Sequence, residues 1–165
     1  MTSPQTAVRI FTIGSNGKSA EQFFTLLTGA GVQRVIDVRL NNNGTLLGFT
    51  RQAHLPYLLW KIGQIDYVHM LELAPDNSIL VDWKLNAAAK RAGKKRINWQ
   101  EYRIRFVRLL RKRKVETLVK PSDVDQSCLL CSEATAEQCH RRLVGDYLRD
   151  QWAGHTTVEI AHLGP

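Results

Sequence analysis

The residues best equipped for chemistry lie between Gln126 and Arg142, in the stretch QSCLLCSEATAEQCHRR. It holds all three cysteines of the chain, Cys128, Cys131 and Cys139, together with Glu133, His140, Arg141 and Arg142. A thiol beside a histidine and an arginine at the start of a helix is drawn toward its thiolate, the form that attacks substrates and binds metals. Three chemistries use such a set. In one, Cys131 or Cys139 is a nucleophile, His140 an acid or base, Arg141 a holder of phosphate or carboxylate, and Glu133 a group that positions water or takes a proton. In another no cysteine attacks, and Asp37, Glu133 and His140 do acid–base work on a nucleotide-like ligand held by Arg39 and Arg141. In the third, Cys128, Cys131, Cys139 and His140 bind zinc. Positions three apart in one extended strand face opposite ways, which separates Cys128 from Cys131, so neither a metal nor any other cofactor is expected.

Each residue also has a purely structural reading. Cys128 fits a small buried hydrophobe. His140 falls in the helical stripe of Leu143, Val144 and Tyr147, and Asp37 can pair with Arg39.

Positioning these groups is the work of alternating strands and helices. Strands are predicted over Val8–Ile13, Arg34–Val38, Ile65–Met70, Ser127–Cys131 and Thr157–Leu163, with a short one after Val115. Helices are predicted from Ser19 to about Gly29, over Arg51–Ile62, Trp99–Lys114 and Ala136–Trp152, with a short one over Asp82–Ala92. The alternation implies one α/β domain spanning residues 1–165, with a mostly parallel sheet of about four to six strands and helices on both faces. In such sheets ligands bind beyond the carboxyl ends of the strands. Asn16 follows the first strand, Asp37 and Arg39 end the second, and Cys131 and Glu133 end the strand before the Cys-His-Arg helix. With His140 and Arg141 they are expected to surround one crevice.

The stretch LLCSE…QCHRR resembles the domain-of-unknown-function family 488, whose members carry a cysteine, a glutamate two residues on, and then Cys-His-Arg. Thr12-Ile-Gly-Ser-Asn16, Asp37-Val-Arg39 and Ile160-Ala-His-Leu163 agree with it, so the likeness runs from roughly Ile10 to Leu163. The family usually has a histidine before the asparagine of the first motif, where this chain has Ser15. The resemblance implies the fold and leaves the reaction open. Rhodanese-type and phosphatase-type cysteine loops are absent, because the first arginine after Cys131 is Arg141 and the residue six after it is Glu137. A Walker-type phosphate loop and a G-x-G-x-x-G turn are missing too.

The chain has 165 residues, of which 44% are hydrophobic, enough for a sizeable core. It has no apolar run near the roughly 18 residues of a membrane span. From an odd number of cysteines and a start without secretory character, a cytoplasmic location is expected. The formal net charge is +8, from 23 Lys+Arg against 15 Asp+Glu. Between Lys90 and Lys114 the only acid is Glu101, and on the Trp99–Lys114 helix Arg105, Arg108 and Lys112 lie opposite an aromatic stripe. Such a face suits a polyanion, or serves only solubility. The expected partner is an anionic substrate, with a nucleotide or nucleic acid as first candidate, and no membrane; oligomeric state is not legible. Three function classes follow: an enzyme acting on a nucleotide or nucleic acid, a non-catalytic nucleic-acid-binding module, and a thiol-dependent sulfur or acyl transferase.

Overall fold

The computed structural model describes residues 6–44, 46–85 and 90–164. Five strands form one sheet in which every pairing is parallel: β1 (Thr6–Gly14), β2 (Arg34–Asp37), β3 (Asp66–His69), β4 (Ser127–Cys131) and β5 (Thr156–Leu163), in the order β3-β2-β4-β1-β5. β4 reads SCLLC and is buried at every position, as a strand covered on both faces must be. Its register sets Gly14 of β1 against Cys131, and Asp37 of β2 against Leu130.

Two cores follow from strand alternation. Phe11, Ile13, Val35, Cys128 and Leu130 point to one face and pack under α1 (Ala20–Gly29) and α2 (Leu55–Gly63). Ile10, Ile36, Leu129 and Cys131 point to the other. That face is covered by α3 (Asn77–Lys84), α4 (Trp99–Arg113), α5 (Val115–Leu118), α6 (Pro121–Val124) and α7 (His140–Trp152). Ser19 begins α1 with a reciprocal capping box to Gln22, and Asn98 begins α4 by accepting the Glu101 N–H. On α4, Tyr102, Phe106 and Leu110 form the buried stripe.

Four expected elements differ. The helix expected over Arg51–Ile62 starts at Leu55, which puts Pro56 in its first turn. The stretch after Val115 is not a strand but two short helices, α5 and α6; Pro121 sits at the first position of α6, where a missing N–H loses no helical bond. Of the helix expected over Asp82–Ala92, Asp82–Lys84 belong to α3, which Leu85 ends in a left-handed conformation, and Lys90 and Arg91 are helical; residues 86–89 lie outside the described residues. The Cys-His-Arg helix starts at His140, not Ala136. Thr135 does not cap it; Cys139, in extended conformation, is the residue before its first turn. Tertiary contacts hold the intervening segment open: the Asn16 N–H bonds the Ser132 carbonyl, and Arg141 bonds the Glu133 carbonyl.

The chain leaves β1 toward α1 on one face and β4 toward α7 on the other. Parallel sheets open a crevice at such a divergence; β2, which leads to α2, diverges from the neighbouring β4 in the same way, and residues after these two strands, Arg39 to Asn41 and Cys131 to Glu133, line one cavity. Among the described residues no helix is long and apolar enough to cross a membrane.

Candidate functional site

Gly14 closes β1 where only glycine fits, since a Cβ there would lie 1.7 Å from the Glu133 carbonyl oxygen and 2.9 Å from Arg141 Nη1. The backbone after Cys131 therefore packs directly on β1, with the Ser15 N–H bonding the Cys131 carbonyl at 3.0 Å. This fixes where β4 delivers Cys131. α7 brings Cys139, His140 and Arg141 to the same place.

Cys131 is the focus. Its Sγ lies 2.7 Å from Cys139 Sγ, 3.7 Å from His140 Nδ1 and 3.4 Å from the Glu133 N–H, which donates to it. Burial opposes ionisation of this thiol. The Cys139 hydrogen bond, the charge and bond of His140 and the Glu133 N–H outweigh burial and hold Cys131 well below the usual thiol range. Cys139 shifts the other way: burial and the neighbouring Cys131 sulfur raise it well above that range, so Cys139 keeps the proton and donates it. For His140 burial disfavours charge, but the Cys131 thiolate and the Val38 carbonyl overcome it and raise the imidazole above its ordinary value. The His140 Nε2–H donates to that carbonyl at 2.8 Å, which turns Nδ1 toward the sulfur. Thiolate and imidazolium thus support each other.

The second polar group is built around Asp37. Its carboxylate, wholly buried, accepts from Arg39 Nε at 2.8 Å and Nη2 at 2.6 Å, from the Tyr67 hydroxyl at 2.8 Å and from Asn42 at 3.3 Å. Arg39 Nη2 also bonds the Thr50 carbonyl, and the His69 Nε2–H donates to the Arg39 carbonyl. Burial and then the Asp37 charge push the Tyr67 hydroxyl up, so it remains a donor. Arg39 Nη1 alone has no partner; among the described residues no other buried side-chain nitrogen or oxygen lacks one.

Arg39, Cys131, Cys139 and His140 line one cavity of about 70 Å³, with Tyr102 and Glu133 also on its wall. That is room for a few waters or one small chemical group. Trp83, Lys84, Glu133 and Gln138 border both this cavity and an outer groove of about 500 Å³. Arg96 stacks over Trp83 at 4.4 Å in that groove. From the mouth, rings run inward from Trp83 to Tyr102, Phe106 and the edge of His140 at centroid spacings of 5.2, 6.1 and 5.9 Å.

The residues expected at one crevice divide accordingly. Cys131, Glu133, His140 and Arg39 line the cavity. Asp37 stands behind it and orients Arg39. Arg141 is buried beneath, held by Thr12, the Glu133 carbonyl and Cys139 Sγ, so its contacts are to the protein rather than to the cavity. Asn16 is exposed and borders a separate groove with Lys18 and Thr135, on the far side of the loop. There burial and the Arg141 charge lower the Lys18 amine below its ordinary value.

On α4, Arg108 and Lys112 are exposed, but Arg105 is bound to Asp82 and Glu101, which spends its charge within the protein. Lys94 also pairs with Asp82, and Arg113 donates to the carbonyls of Leu71, Glu72 and Ala74. The site residues that sequence reasoning missed are Tyr67, Trp83, Lys84 and Gln138. Only the aromatic character of Trp83 gave a cue, in a stretch without clear periodicity.

As to metals, Cys131, Cys139 and His140 are buried with donor atoms within 4.8 Å of one another, a set that could hold a thiophilic divalent ion. Cys128 is on the opposite face and takes no part. Two thiolates on one tetrahedral zinc stand roughly 3.8 Å apart, so these sulfurs, at 2.7 Å, would have to separate by about 1 Å to share it.

A family model described as "Domain of unknown function DUF488" matches residues 19–148. The chain belongs to this family. The matched part carries Asp37, Arg39 and the whole Cys131–Arg141 cluster, while the first motif and the closing strand of this DUF488 protein lie outside it. No curated protein and no solved structure matches the chain.

Proposed function

We propose that this protein is an enzyme that acts on a nucleotide, free or within a nucleic acid, with Cys131 as thiolate nucleophile. The observation that carries the reading is the convergence of three donors on Cys131 Sγ at a cavity wall. A buried thiol with no task needs none of them. The Sγ attacks an electrophilic centre of the substrate, His140 gives its Nδ1 proton to the group that leaves, and Glu133 at the lip orients the water that later frees the sulfur. The unpartnered Nη1 of Arg39 offers a charge-assisted bond to an oxygen of the substrate. A base stacks on Trp83 in place of, or sandwiched with, Arg96, while Lys84 meets phosphate.

The test is alkylation by iodoacetamide at neutral pH. A free thiol near pKa 8.5 is only a few per cent ionised, and lower intrinsic nucleophilicity offsets part of the gain on full ionisation, so Cys131 should react on the order of tenfold faster. Adenosine or uridine 5′-monophosphate, or a short single-stranded oligonucleotide, should slow the reaction, and Trp83→Leu should weaken that protection. A Cys131 no more reactive than a peptide thiol would defeat the reading.

A second reading, a nucleic-acid-binding module without catalysis, has its own support. Arg103, Arg108 and Arg111 of α4 line a groove with α7, whose Arg149 is paired there with Asp146 and Asp150. Its test is the salt dependence of binding discussed below.

A further inference from the structure

We propose that Cys131 and Cys139 are joined into a reversible disulfide by hydroperoxides, and that this bond shuts the thiol site. The inference rests on the thiolate reading of Cys131 above and gives Cys139 a task that reading leaves unassigned. The two sulfurs are 2.7 Å apart and border the same cavity, so an oxidant small enough to reach one meets both. Cys128 lies behind β4 in the other core, out of reach. Cys139 is extended and precedes the first turn of α7, so its backbone can shift without unwinding the helix. The seven residues between them, Ser132 to Gln138, form a loop rather than a rigid element.

The electron and proton count closes. Cys131 thiolate attacks the hydroperoxide; the O–O bond breaks, the sulfur becomes a sulfenic acid, and the alcohol or water that leaves takes the His140 proton. Neutral His140 then accepts the Cys139 proton. The Cys139 thiolate attacks the Cys131 sulfur, the S–S bond forms, the S–O bond breaks, and hydroxide departs as water with the proton returned by His140. The sulfurs together lose two electrons and the hydroperoxide gains them.

The surroundings time the second step. While Cys131 is a thiolate, its charge and hydrogen bond, with burial, keep Cys139 protonated. A neutral sulfenic acid removes both influences of Cys131. Arg141, with Nη1 3.3 Å from Cys139 Sγ, is then the dominant charge on it and favours the attacking thiolate.

The experiment treats the whole chain with stoichiometric hydrogen peroxide, then alkylates it in denaturant and reads intact and peptide masses, with and without dithiothreitol. The expected product has lost two hydrogens, carries a Cys131–Cys139 cross-linked peptide, keeps Cys128 as its single free thiol, and regains three on reduction. In Cys139→Ser, Cys131 should stop at a sulfenic acid with one equivalent of peroxide, and with two or more equivalents should take up two oxygens and not recover. Wild-type mapping alone decides the matter if that variant does not fold. Oxygen addition without cross-linking in the wild type, a cross-link to Cys128, or a stoichiometric metal ion bound by both sulfurs after metal-free purification would each overturn the switch. If reduced Cys131 alkylates fast but never cross-links, the switch falls and the proposed function stands. If alkylation is no faster than that of a peptide thiol, the proposed function falls.

Discussion

Asp37 grips Arg39 through both carboxylate oxygens and leaves its Nη1 unused. Asp37 Oδ1 accepts from Nε and from the Arg39 backbone N–H, Oδ2 accepts from Nη2, and Tyr67 and Asn42 complete the shell. The guanidinium is fixed in plane with Nη1 buried and unpartnered, and Arg39 is among the residues that line the cavity. Such preorganisation lowers the cost of holding an oxyanion.

This pair is buried on both sides, at 3% and 0% side-chain exposure, so breaking it strands a charge away from water. Asp37→Asn should therefore destabilise the protein by about 3–5 kcal/mol. Denaturant unfolding reads this directly, and a loss under about 1 kcal/mol would mean water reaches Arg39.

Cys131 alkylation should have a pH profile displaced to the acid side. Because His140 and Cys139 favour the thiolate, its reactive fraction persists as pH falls below the ordinary thiol range and disappears only below the lowered pKa. His140→Gln removes a positive charge, so the midpoint should move to higher pH. An unchanged midpoint would assign the thiolate to Cys139 and the Glu133 N–H alone.

Two glycines should respond oppositely to alanine. At Gly14 a Cβ collides with the Glu133 backbone, and Gly14→Ala should cost about 3 kcal/mol or more and loosen the cysteine loop. At Gly29, the last residue of α1, a Cβ meets nothing within 4 Å, and Gly29→Ala should stabilise by about 0.5–1 kcal/mol. Thermal unfolding of both variants checks the contrast.

On the basic face, Arg108 and Lys112 are exposed whereas Arg105 is occupied by Asp82 and Glu101. If single-stranded DNA or RNA binds there, the dissociation constant at physiological salt should be about 10⁻⁴–10⁻⁶ M, and removing one cation that pairs with a phosphate should flatten the log–log salt slope by about 0.7. Arg108→Gln with Lys112→Gln should flatten it, and Arg105→Gln should change it least. Fluorescence titrations at several salt concentrations decide this; no binding at low salt would leave the face a solvated surface.

Much of this fold was legible because its strands are short apolar runs with β-branched residues, and a run such as RVIDV can hardly be anything but a buried strand. Position past strand ends then placed Asp37, Arg39 and Cys131 at one edge. Propensity misled where tertiary bonds decide. Thr135-Ala-Glu-Gln looks like a helix start, yet Glu133 and Ser132 are tied to Arg141 and Asn16, and the helix waits for His140. Strand parity separated Cys128 from Cys131 correctly, but it says nothing of two sulfurs that meet across a loop. Asn16 and Arg141 share the edge while facing away from the cavity, a distinction of side-chain direction that spacing does not encode. Trp83 and Lys84 stand at the mouth because α3 packs on α4 through ring contacts of Trp83 with Trp99 and Tyr102 and through the Asp82–Arg105 ion pair.

Ala134 and Thr135 border both the groove that leads to Cys131 and the separate groove beside Lys18. The loop is thus a partition, fastened at one end by the Ser132 and Glu133 carbonyls and at the other by α7. A shorter loop between the same fastenings would merge the two grooves into one trough across the sheet edge, with Arg141 at its floor. Length in this one segment therefore governs whether the protein presents two compartments or one.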